Sequence, residues 1–320
     1  MNKIEVLKTG VVYFKDTDNI GDDVQTLAAK NILGQVDHYL DREALNEYEG
    51  EKIKLLCNGY FMRDPKQWPP SKDIDPLFVS FHVSSLNDCE TFMVDPSLKS
   101  YYNDHGPIGC RDYRTMRLFQ SIGVEAYYSA CLTLTLEASE HTSKSGEIIF
   151  ADAFLKTKSD DYEHYFIDKL VPASLKNKVH IIHHEQARQH LSIEERMSST
   201  QQLIDRYAAA DLVFTSRIHC ALPCLALGTP VYFMDLGYDR KNGKSRFEGI
   251  TDLMHVLPQS HFPFSSSQVY AKAARKIQLY KMSSVKDLSK IVDWDLADNP
   301  ESNIRELKEN ITTTVKRFFS

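Results

Sequence analysis

The sequence predicts an α/β protein with two Rossmann-like domains that face each other across a cleft, followed by a helical C-terminal segment. Short apolar runs rich in Val, Ile, Leu and Phe alternate along the chain with longer amphipathic stretches, as strands alternate with helices around parallel sheets. This alternation occurs as two series with a polar stretch between them. The chain of 320 residues is long enough for two such domains.

The first series extends from the N-terminus to residue 128. Its periodicity predicts helices over residues 24–33 and 113–122, the second of them ending at Gly123. Strands are predicted at residues 11–14, 36–40, 53–57, 77–83, 107–110 and 124–128. In an open parallel sheet, the carboxyl ends of the strands form the edge at which ligands bind. The residues that follow each strand are therefore the first candidates for a site.

A polar stretch of small residues without periodicity, Glu137 to Gly146, predicts the link between the domains. We place the N-terminal domain at residues 1–138 and the C-terminal domain at residues 139–320. The second series predicts strands at residues 147–151, 179–183, 212–214 and 231–233, and helices near 160–170, 193–209 and 218–227. From residue 265 the pattern is helical, and the last helix is expected at about 304–319.

Composition and charge exclude several classes of function. A formal net charge of −6 gives no electrostatic reason to expect binding to nucleic acid or to an anionic membrane. The most apolar stretch, residues 208–236, is interrupted by charged residues and a Gly-Thr-Pro turn, which predicts a buried segment and no membrane span. The six cysteines form no C-x-x-C pair and are interpreted as core residues. We expect a cytoplasmic protein without a metal site.

The first junction between strand and helix contains Asn19, Gly21 and Asp22. The glycine pattern of a dinucleotide site is absent, and carboxylates at this position repel phosphate. Two interpretations remain open. These side chains either cap the helix and match its dipole, or they bind the hydroxyl groups of a polyhydroxylated ligand.

A stronger candidate is the start of the helix at residues 218–227, which carries Arg217 and His219. Thr215 and Ser216 precede it as candidate helix caps. A helix that begins after a parallel strand directs N–H groups and a positive dipole end at the ligand edge. A guanidinium and an imidazole added there suit a small anion with phosphate or carboxylate groups. The alternatives are an ion-paired Arg217 and a histidine satisfied within the core.

Arg111 follows the predicted strand at 107–110 and is a candidate anion ligand for the same reason as Arg217. The alternative is a salt bridge to Asp112. His82, in an apolar strand, is interpreted as a satisfied, half-buried residue. His183 and His184 are adjacent in a strand and face opposite ways, so they do not form a shared metal site.

A basic loop follows the strand at 231–233 and is either a solvated surface loop or a mobile lid over an anionic ligand. Its candidate lid residues are Lys241, Lys244 and Arg246.

Three stretches together resemble the polysaccharide pyruvyl transferase family, over residues 10 to 235. They are Asn19-Ile20-Gly21-Asp22, Arg111-Asp112-Tyr113-Arg114-Thr115 with Gly123 following, and Ser216-Arg217-Ile218-His219 leading into Gly228-Thr229-Pro230. Family members often carry an acidic residue where this chain has Tyr128-Ser129-Ala130.

The resemblance implies a fold similar to GT-B glycosyltransferases and transfer of a pyruvyl group from phosphoenolpyruvate to two hydroxyls of a sugar, forming a cyclic ketal. The donor is a co-substrate, and no further cofactor is implied. We expect Arg111, Ser216, Arg217 and His219 to bind this donor, and Asn19, Gly21 and Asp22 to bind the sugar acceptor. His219 is the expected general acid, since histidine titrates near neutral pH, and Asp22 is the residue expected to orient or deprotonate a hydroxyl.

Two other functions fit the same pattern. One is a GT-B glycosyltransferase that uses a nucleotide sugar, because the cleft and helix dipole would also hold a diphosphate. The other is a non-catalytic protein of capsule assembly that retains the fold.

Overall fold

The computed structural model describes residues 7–140, 142–153, 161–235, 244–258, 288–300 and 302–320. Their strands form two parallel sheets, in agreement with the predicted α/β class. The first sheet has the order β2-β1-β3-β4-β5-β6 and the second the order β11-β10-β9-β7-β8. All pairings between neighbouring strands are parallel. The carboxyl ends of the strands therefore share one edge in each sheet.

The strands of the first sheet are β1 (Lys8–Tyr13), β2 (His38–Asp41), β3 (Ile53–Phe61), β4 (Ile74–Val83), β5 (Ile108–Cys110) and β6 (Ala126–Tyr128). Those of the second are β7 (Ile148–Ala151), β8 (Val179–Ile182), β9 (Leu212–Thr215), β10 (Val231–Met234) and β11 (His255–Leu257). Every residue of β7, β9 and β10 is buried, which explains their continuous apolar sequences. The sequence analysis predicted ten of these strands and missed β11.

The α-helices are α1 (Ile20–Leu33), α2 (Cys89–Met93), α3 (Lys99–Asp104), α4 (Tyr113–Ser121), α5 (Asp161–Leu170), α6 (Ile193–Ala209), α7 (Ile218–Ala226) and α8 (Ile304–Phe319). α1 begins four residues before its predicted start because Asn19 caps it, with Oδ1 accepting from the Gly21 N–H at 3.1 Å. A capping box of Ser192 and Glu195 begins α6. The predicted domain boundary at 138/139 lies between β6 and β7.

The two domains meet over a shared apolar core rather than only across a cleft. One cluster of buried side chains includes Val11 and Leu56 of the first sheet together with Val213 and Phe233 of the second. α8 closes this core from the C-terminal side and returns to the first domain, where Lys54 Nζ donates to the Phe318 carbonyl at 2.6 Å. The shared core fixes how the two strand edges lie relative to each other.

A buried ion cluster also joins the domains, with Asp23 of α1 as its centre. Arg188 Nε donates to Asp23 Oδ2 at 2.7 Å, and Arg196 NH2 donates to Oδ1 at 2.5 Å. All three side chains are at most 4% exposed. Beside this cluster, the Ile20 N–H donates to the His184 carbonyl at 2.9 Å. The start of α1 is thereby held against the second domain.

Candidate active site

Arg111 lies at the carboxyl end of β5, where its N–H donates to the Phe81 carbonyl at 2.9 Å. Its side chain is buried, yet Nε has no hydrogen-bond partner among the described residues. Asp112 Oδ2 lies 3.9 Å from Nε, at the outer limit of an ion pair. This arrangement leaves a buried cation with donor capacity to spare, and buried polar groups in folded proteins are normally hydrogen-bonded.

His219 lies in the first turn of α7, and its Nε2 is likewise buried without a partner in the described part of the chain. Its ψ angle of 15° departs from helical geometry. Pro223, four residues on, has no N–H to donate to the His219 carbonyl, which accounts for irregularity at this turn.

Burial, followed by the charge of Arg111, lowers the pKa of His219 well below its usual value. The expectation that His219 titrates near neutral pH is therefore wrong for the ligand-free protein, in which the imidazole is neutral at pH 7.

The starts of α1 and α7 come together at Gly21. A Cβ at Gly21 would lie 3.3 Å from the Cβ of His219, so a larger side chain would press on the histidine. The sequence motifs at Asn19–Asp22 and Ser216–His219 are thus brought together in space. Glycine at position 21 allows this close approach.

The capping of α7 differs from the prediction. Arg217 is the N-cap residue and provides no side-chain cap. Ser216 Oγ instead donates to the Asp152 carbonyl at 2.6 Å, while Thr215 Oγ1 accepts from the Arg217 N–H at 3.0 Å. A helix start without a side-chain cap retains N–H groups that an anion can use.

Arg217 forms ion pairs with carboxylates of its own domain. Its Nε lies 3.0 Å from Asp152 Oδ2 and its NH2 3.3 Å from Glu185 Oε1. Although burial alone raises the pKa of Asp152, Arg217 and His184 hold it below its usual value. The structure therefore shows the ion-paired alternative for Arg217, and its role in donor binding stays a prediction.

Asp22 lies on the first turn of α1, beside an inter-domain cavity of about 580 Å³. Its Oδ2 accepts from Thr17 Oγ1 at 2.7 Å, and burial raises its pKa. The cavity is lined by Thr17, Asp18, Asn19, Asp22, Arg63, Glu185, Gln186 and Ala187. Its several carboxylates suit hydroxyl donors better than phosphate.

Only part of the candidate lid lies within the described residues. Lys241 lies outside them, and Lys244 begins a 3-10 helix, Lys244–Phe247. The Arg246 guanidinium lies over the Phe247 ring, 4.6 Å from its centre. Its charge also lowers the pKa of His219, after burial, Arg111 and His184. Of the candidate lid residues, Arg246 thus contributes positive potential to the site.

His82 and Asp112 form a buried pair that the sequence did not predict. His82 Nδ1 lies 2.5 Å from Asp112 Oδ2, and Asp112 Oδ1 accepts from the Thr115 N–H at 2.9 Å as the cap of α4. Burial, and then the charge of Arg111, lower the pKa of His82 to about 4. His82 was expected to be half-buried and is instead 2% exposed. Its partner lies 30 residues away, so no local motif signals the pair.

The six cysteines are buried and free, in agreement with the interpretation as core residues. Among the described residues, no three His, Cys, Asp or Glu side chains come together as a metal site. None of the described helices is long and apolar enough to cross a membrane.

Comparison with solved structures finds low similarities. A putative UDP-N-acetylglucosamine 2-epimerase from Listeria monocytogenes has 11% identity and a TM-score of 0.46, with 98% of this chain and 97% of that chain covered. UDP-GlcNAc 2-epimerase of Methanocaldococcus jannaschii has 10% identity and a TM-score of 0.42, with coverage of 97% and 100%. An uncharacterized protein from Klebsiella pneumoniae has 15% identity and a TM-score of 0.44, with coverage of 76% and 87%.

Comparison with curated proteins finds no match. Residues 92–238, however, match the family model described as Polysaccharide pyruvyl transferase. The matched region contains Arg111, Arg217 and His219, and the Asn19–Asp22 motif lies before it. The part of the chain that carries the arginine and histidine motifs thus matches the polysaccharide pyruvyl transferase family, as the sequence resemblance indicated.

Proposed function

We propose that the protein transfers the pyruvyl group of phosphoenolpyruvate to two hydroxyls of a sugar in a polysaccharide or its precursor. The observation that carries this proposal is the unsatisfied buried pair of Arg111 Nε and His219 Nε2 at the ligand edge. The match of the surrounding region to the pyruvyl transferase family supports it. The protein is proposed to act in the cytoplasm, because phosphoenolpyruvate is a metabolite of the cytoplasm. Its buried free cysteines are consistent with a reducing compartment.

Phosphoenolpyruvate is complementary in charge to this site. It carries a phosphate and a carboxylate, and each can accept charge-assisted hydrogen bonds from a guanidinium or from helix N–H groups. Arg111 and the start of α7 supply such groups, and Arg246 adds positive potential. Ser216 and Arg217 remain proposed donor ligands. Arg217 would then share its guanidinium between the donor and Asp152.

The lowered pKa of His219 determines when this residue carries the proton that a general acid needs. Before the donor binds, burial and Arg111 keep the imidazole neutral. The negative charges of the donor oppose this effect and raise the pKa, so His219 takes up a proton as the donor binds. A protonated His219 then serves as the general acid.

His219 gives its proton to the methylene carbon of the donor, which becomes a methyl group, and the adjacent carbon becomes oxocarbenium-like. One sugar hydroxyl bonds to that carbon and loses its proton. The bond from this carbon to the phosphate oxygen then breaks, with the electron pair leaving on phosphate. The second hydroxyl closes the ketal. One hydroxyl proton ends in the methyl group and the other on phosphate.

Asp22 and Asn19 are proposed to bind the acceptor in the adjacent cavity. Asn19 and Asp22 line the cavity, and Gly21, which lies between them in the sequence, is close to His219 of the proposed donor site. The raised pKa of Asp22 gives its carboxylate the basicity to orient or deprotonate a hydroxyl.

The test is thermal unfolding of the purified protein with phosphoenolpyruvate, UDP, CMP or GDP at equal concentration. A ligand at about a hundred times its dissociation constant stabilises the folded state by roughly 2.7 kcal/mol, which shifts the midpoint by on the order of 5 °C. We expect a shift with phosphoenolpyruvate alone. A shift only with a nucleotide would favour the glycosyltransferase, and donor binding without phosphate release would favour the capsule-assembly protein.

A further inference from the structure

His82 and Asp112 form a buried pair that the proposed roles of Arg111, His219 and Asp22 leave unused. The short contact from His82 Nδ1 to Asp112 Oδ2, 2.5 Å, fixes one edge of the imidazole ring. Asp112 is itself held, because its other oxygen caps α4 through the Thr115 N–H. Thr115 Oγ1 lies 3.3 Å from the same His82 nitrogen. The ring therefore has a single orientation, with Nε2 directed away from Asp112.

The tautomer follows from this contact. Burial raises the pKa of Asp112, but His82, Arg111 and the Thr115 N–H outweigh burial and leave this pKa below its usual value. The Asp112 carboxylate is therefore ionised. An ionised carboxylate accepts a hydrogen bond, so His82 Nδ1 carries the proton and Nε2 carries a lone pair. No described residue donates to or accepts from Nε2, and it is not among the fully enclosed atoms that lack a partner.

Charged and titratable groups surround His82 on several sides. Arg111 and Arg114 face it from the junction of β5 and α4, and both disfavour its protonation. The Tyr60 ring of β3 lies 5.5 Å from the imidazole, centre to centre. The charge of a protonated His82 lowers the pKa of His219 of α7, and Arg111 Nε lies 3.9 Å from the Asp112 oxygen that His82 contacts. His82 thus lies next to the residues of the proposed donor site.

We propose that His82 Nε2 accepts the proton of the first sugar hydroxyl as its oxygen bonds to the donor carbon, with Asp112 as the positioning residue. This assignment rests on the proposed function. The hydroxyl O–H bond breaks, its proton moves to Nε2 and a C–O bond forms. His82 then gives this proton to the departing phosphate, while the second hydroxyl proton restores His219. Both histidines return to their starting states.

The geometry favours His82 over Asp22 for this step. Both Asp22 oxygens already accept hydrogen bonds, from Thr17 Oγ1 at 2.7 Å and Gln25 Nε2 at 3.5 Å. His82 Nε2, in contrast, has a lone pair that no described donor occupies, and its position is fixed by an ionised carboxylate. An imidazole fixed by an aspartate serves as a general base, and the negative charges of the bound donor raise the pKa of His82 from its ligand-free value toward neutral pH. Asp22 then binds and orients the acceptor.

The first test measures the tautomer in the unmodified protein. With ¹⁵N-labelled histidine, the nitrogen chemical shifts of His82 should report a protonated Nδ1 and an unprotonated Nε2 between pH 6 and 8. A proton on Nε2, or a doubly protonated ring in this range, overturns the proposal. This measurement needs no acceptor and no variant.

The second test compares His82→Gln with His105→Gln. His105 forms a partly exposed pair with Asp75 in the same domain, with Nδ1 3.4 Å from Oδ1, and serves as the matched control. Phosphoenolpyruvate binding is measured by calorimetry, and phosphate release is measured with the methyl glycosides of galactose, glucose, mannose and N-acetylglucosamine. We expect His82→Gln to bind the donor within about threefold of wild type and to lose at least ~100-fold in kcat. His105→Gln should match wild type in both measurements.

The outcomes separate this proposal from the one on which it rests. Full phosphate release by His82→Gln overturns the role of His82 and leaves the proposed function in place. A wild-type protein that binds no phosphoenolpyruvate overturns the proposed function itself. The tautomer measurement decides the role of His82 if none of the four glycosides is an acceptor or if the variant fails to fold.

Discussion

Replacing Arg111 by Met removes a buried positive charge and keeps most of the side-chain volume. Within the described part of the chain, the carboxylate that pairs with this charge is Asp112, 3.9 Å from Nε, and Nε makes no hydrogen bond to a described residue. Asp112 keeps two other partners, His82 and the Thr115 N–H. Replacing a whole buried ion pair by apolar side chains of similar volume is often neutral or stabilising by about 1–4 kcal/mol, and Arg111 approaches this case because Asp112 does not lose its main partners with it. We expect Arg111→Met to be as stable as wild type or more stable by up to about 3 kcal/mol.

The same substitution should impair donor binding. A hydrogen bond to a charged group contributes roughly 1.5–3 kcal/mol, and a guanidinium can donate two of them to one phosphate or carboxylate. Loss of both corresponds to at least about a 100-fold increase in the Kd for phosphoenolpyruvate. Arg111→Met should thus stabilise the protein or leave its stability unchanged while it weakens binding, a combination typical of residues kept for function.

Urea unfolding gives the stability and titration calorimetry gives the affinity. Arg206→Met is the matched control, because Arg206 pairs with Glu147 at 3.0 Å and its side chain is 39% exposed. The control should change stability by no more than about 1 kcal/mol and leave binding unchanged. A loss of more than about 3 kcal/mol in Arg111→Met would refute the reasoning, because that is the cost of breaking a structural buried pair.

Three further predictions concern titration and the domain interface. Because burial and Arg111 lower the pKa of His219 in the free protein, the protein should take up protons when the donor binds near neutral pH. Calorimetry in two buffers of different ionisation enthalpy measures this uptake, and proton release would contradict the prediction. Burial raises the pKa of Asp22, so ionising it costs stability as pH rises above the unfolded value of about 3.9. Urea unfolding should therefore show that Asp22→Asn gains stability relative to wild type between pH 5 and pH 8. A relative loss of stability over this range would contradict the raised pKa. Asp23→Asn should cost about 3–5 kcal/mol, because it leaves Arg188 and Arg196 buried without their carboxylate, and a loss below about 1 kcal/mol would contradict the assigned cluster.

The alternation of apolar runs and amphipathic stretches was sufficient to predict the α/β class and most elements. The strands β7, β9 and β10 are buried on both faces, so their sequences are continuously apolar and easily recognised. β11, His255–Leu257, was missed because its three residues show no period and, unlike the equally short β5 and β6, it is not adjacent to a predicted helix. The early start of α1 had a local signal, since Asn19 is a favoured N-cap residue.

For the site, the sequence predicted which residues lie at strand ends better than it predicted which side chains contact each other. Asn19 and Arg111 follow strands of the first sheet and His219 follows a strand of the second, and the carboxyl ends of parallel strands share an edge within each sheet, so the position of each residue at a ligand edge was predictable. The partners of His82 and Arg217 were not, because these contacts join side chains separated by 30 and 65 residues. No local pattern reports such contacts.

The depressed pKa of His219 could not be predicted from the residue type. It depends on burial and on the distance to Arg111, which lies more than a hundred residues earlier in the chain. Histidine alone predicts titration near neutral pH, whereas the environment decides the protonation state.

In the proposed function, Arg111 Nε and His219 Nε2, buried without a hydrogen-bond partner among the described residues, hold phosphoenolpyruvate at the ligand edge. Titration calorimetry of the wild-type protein with phosphoenolpyruvate, inorganic phosphate and UDP under one set of conditions tests this proposal most directly. We expect phosphoenolpyruvate to bind most tightly, because only this one of the three ligands offers a phosphate and a carboxylate together. Binding of UDP without binding of phosphoenolpyruvate would contradict it.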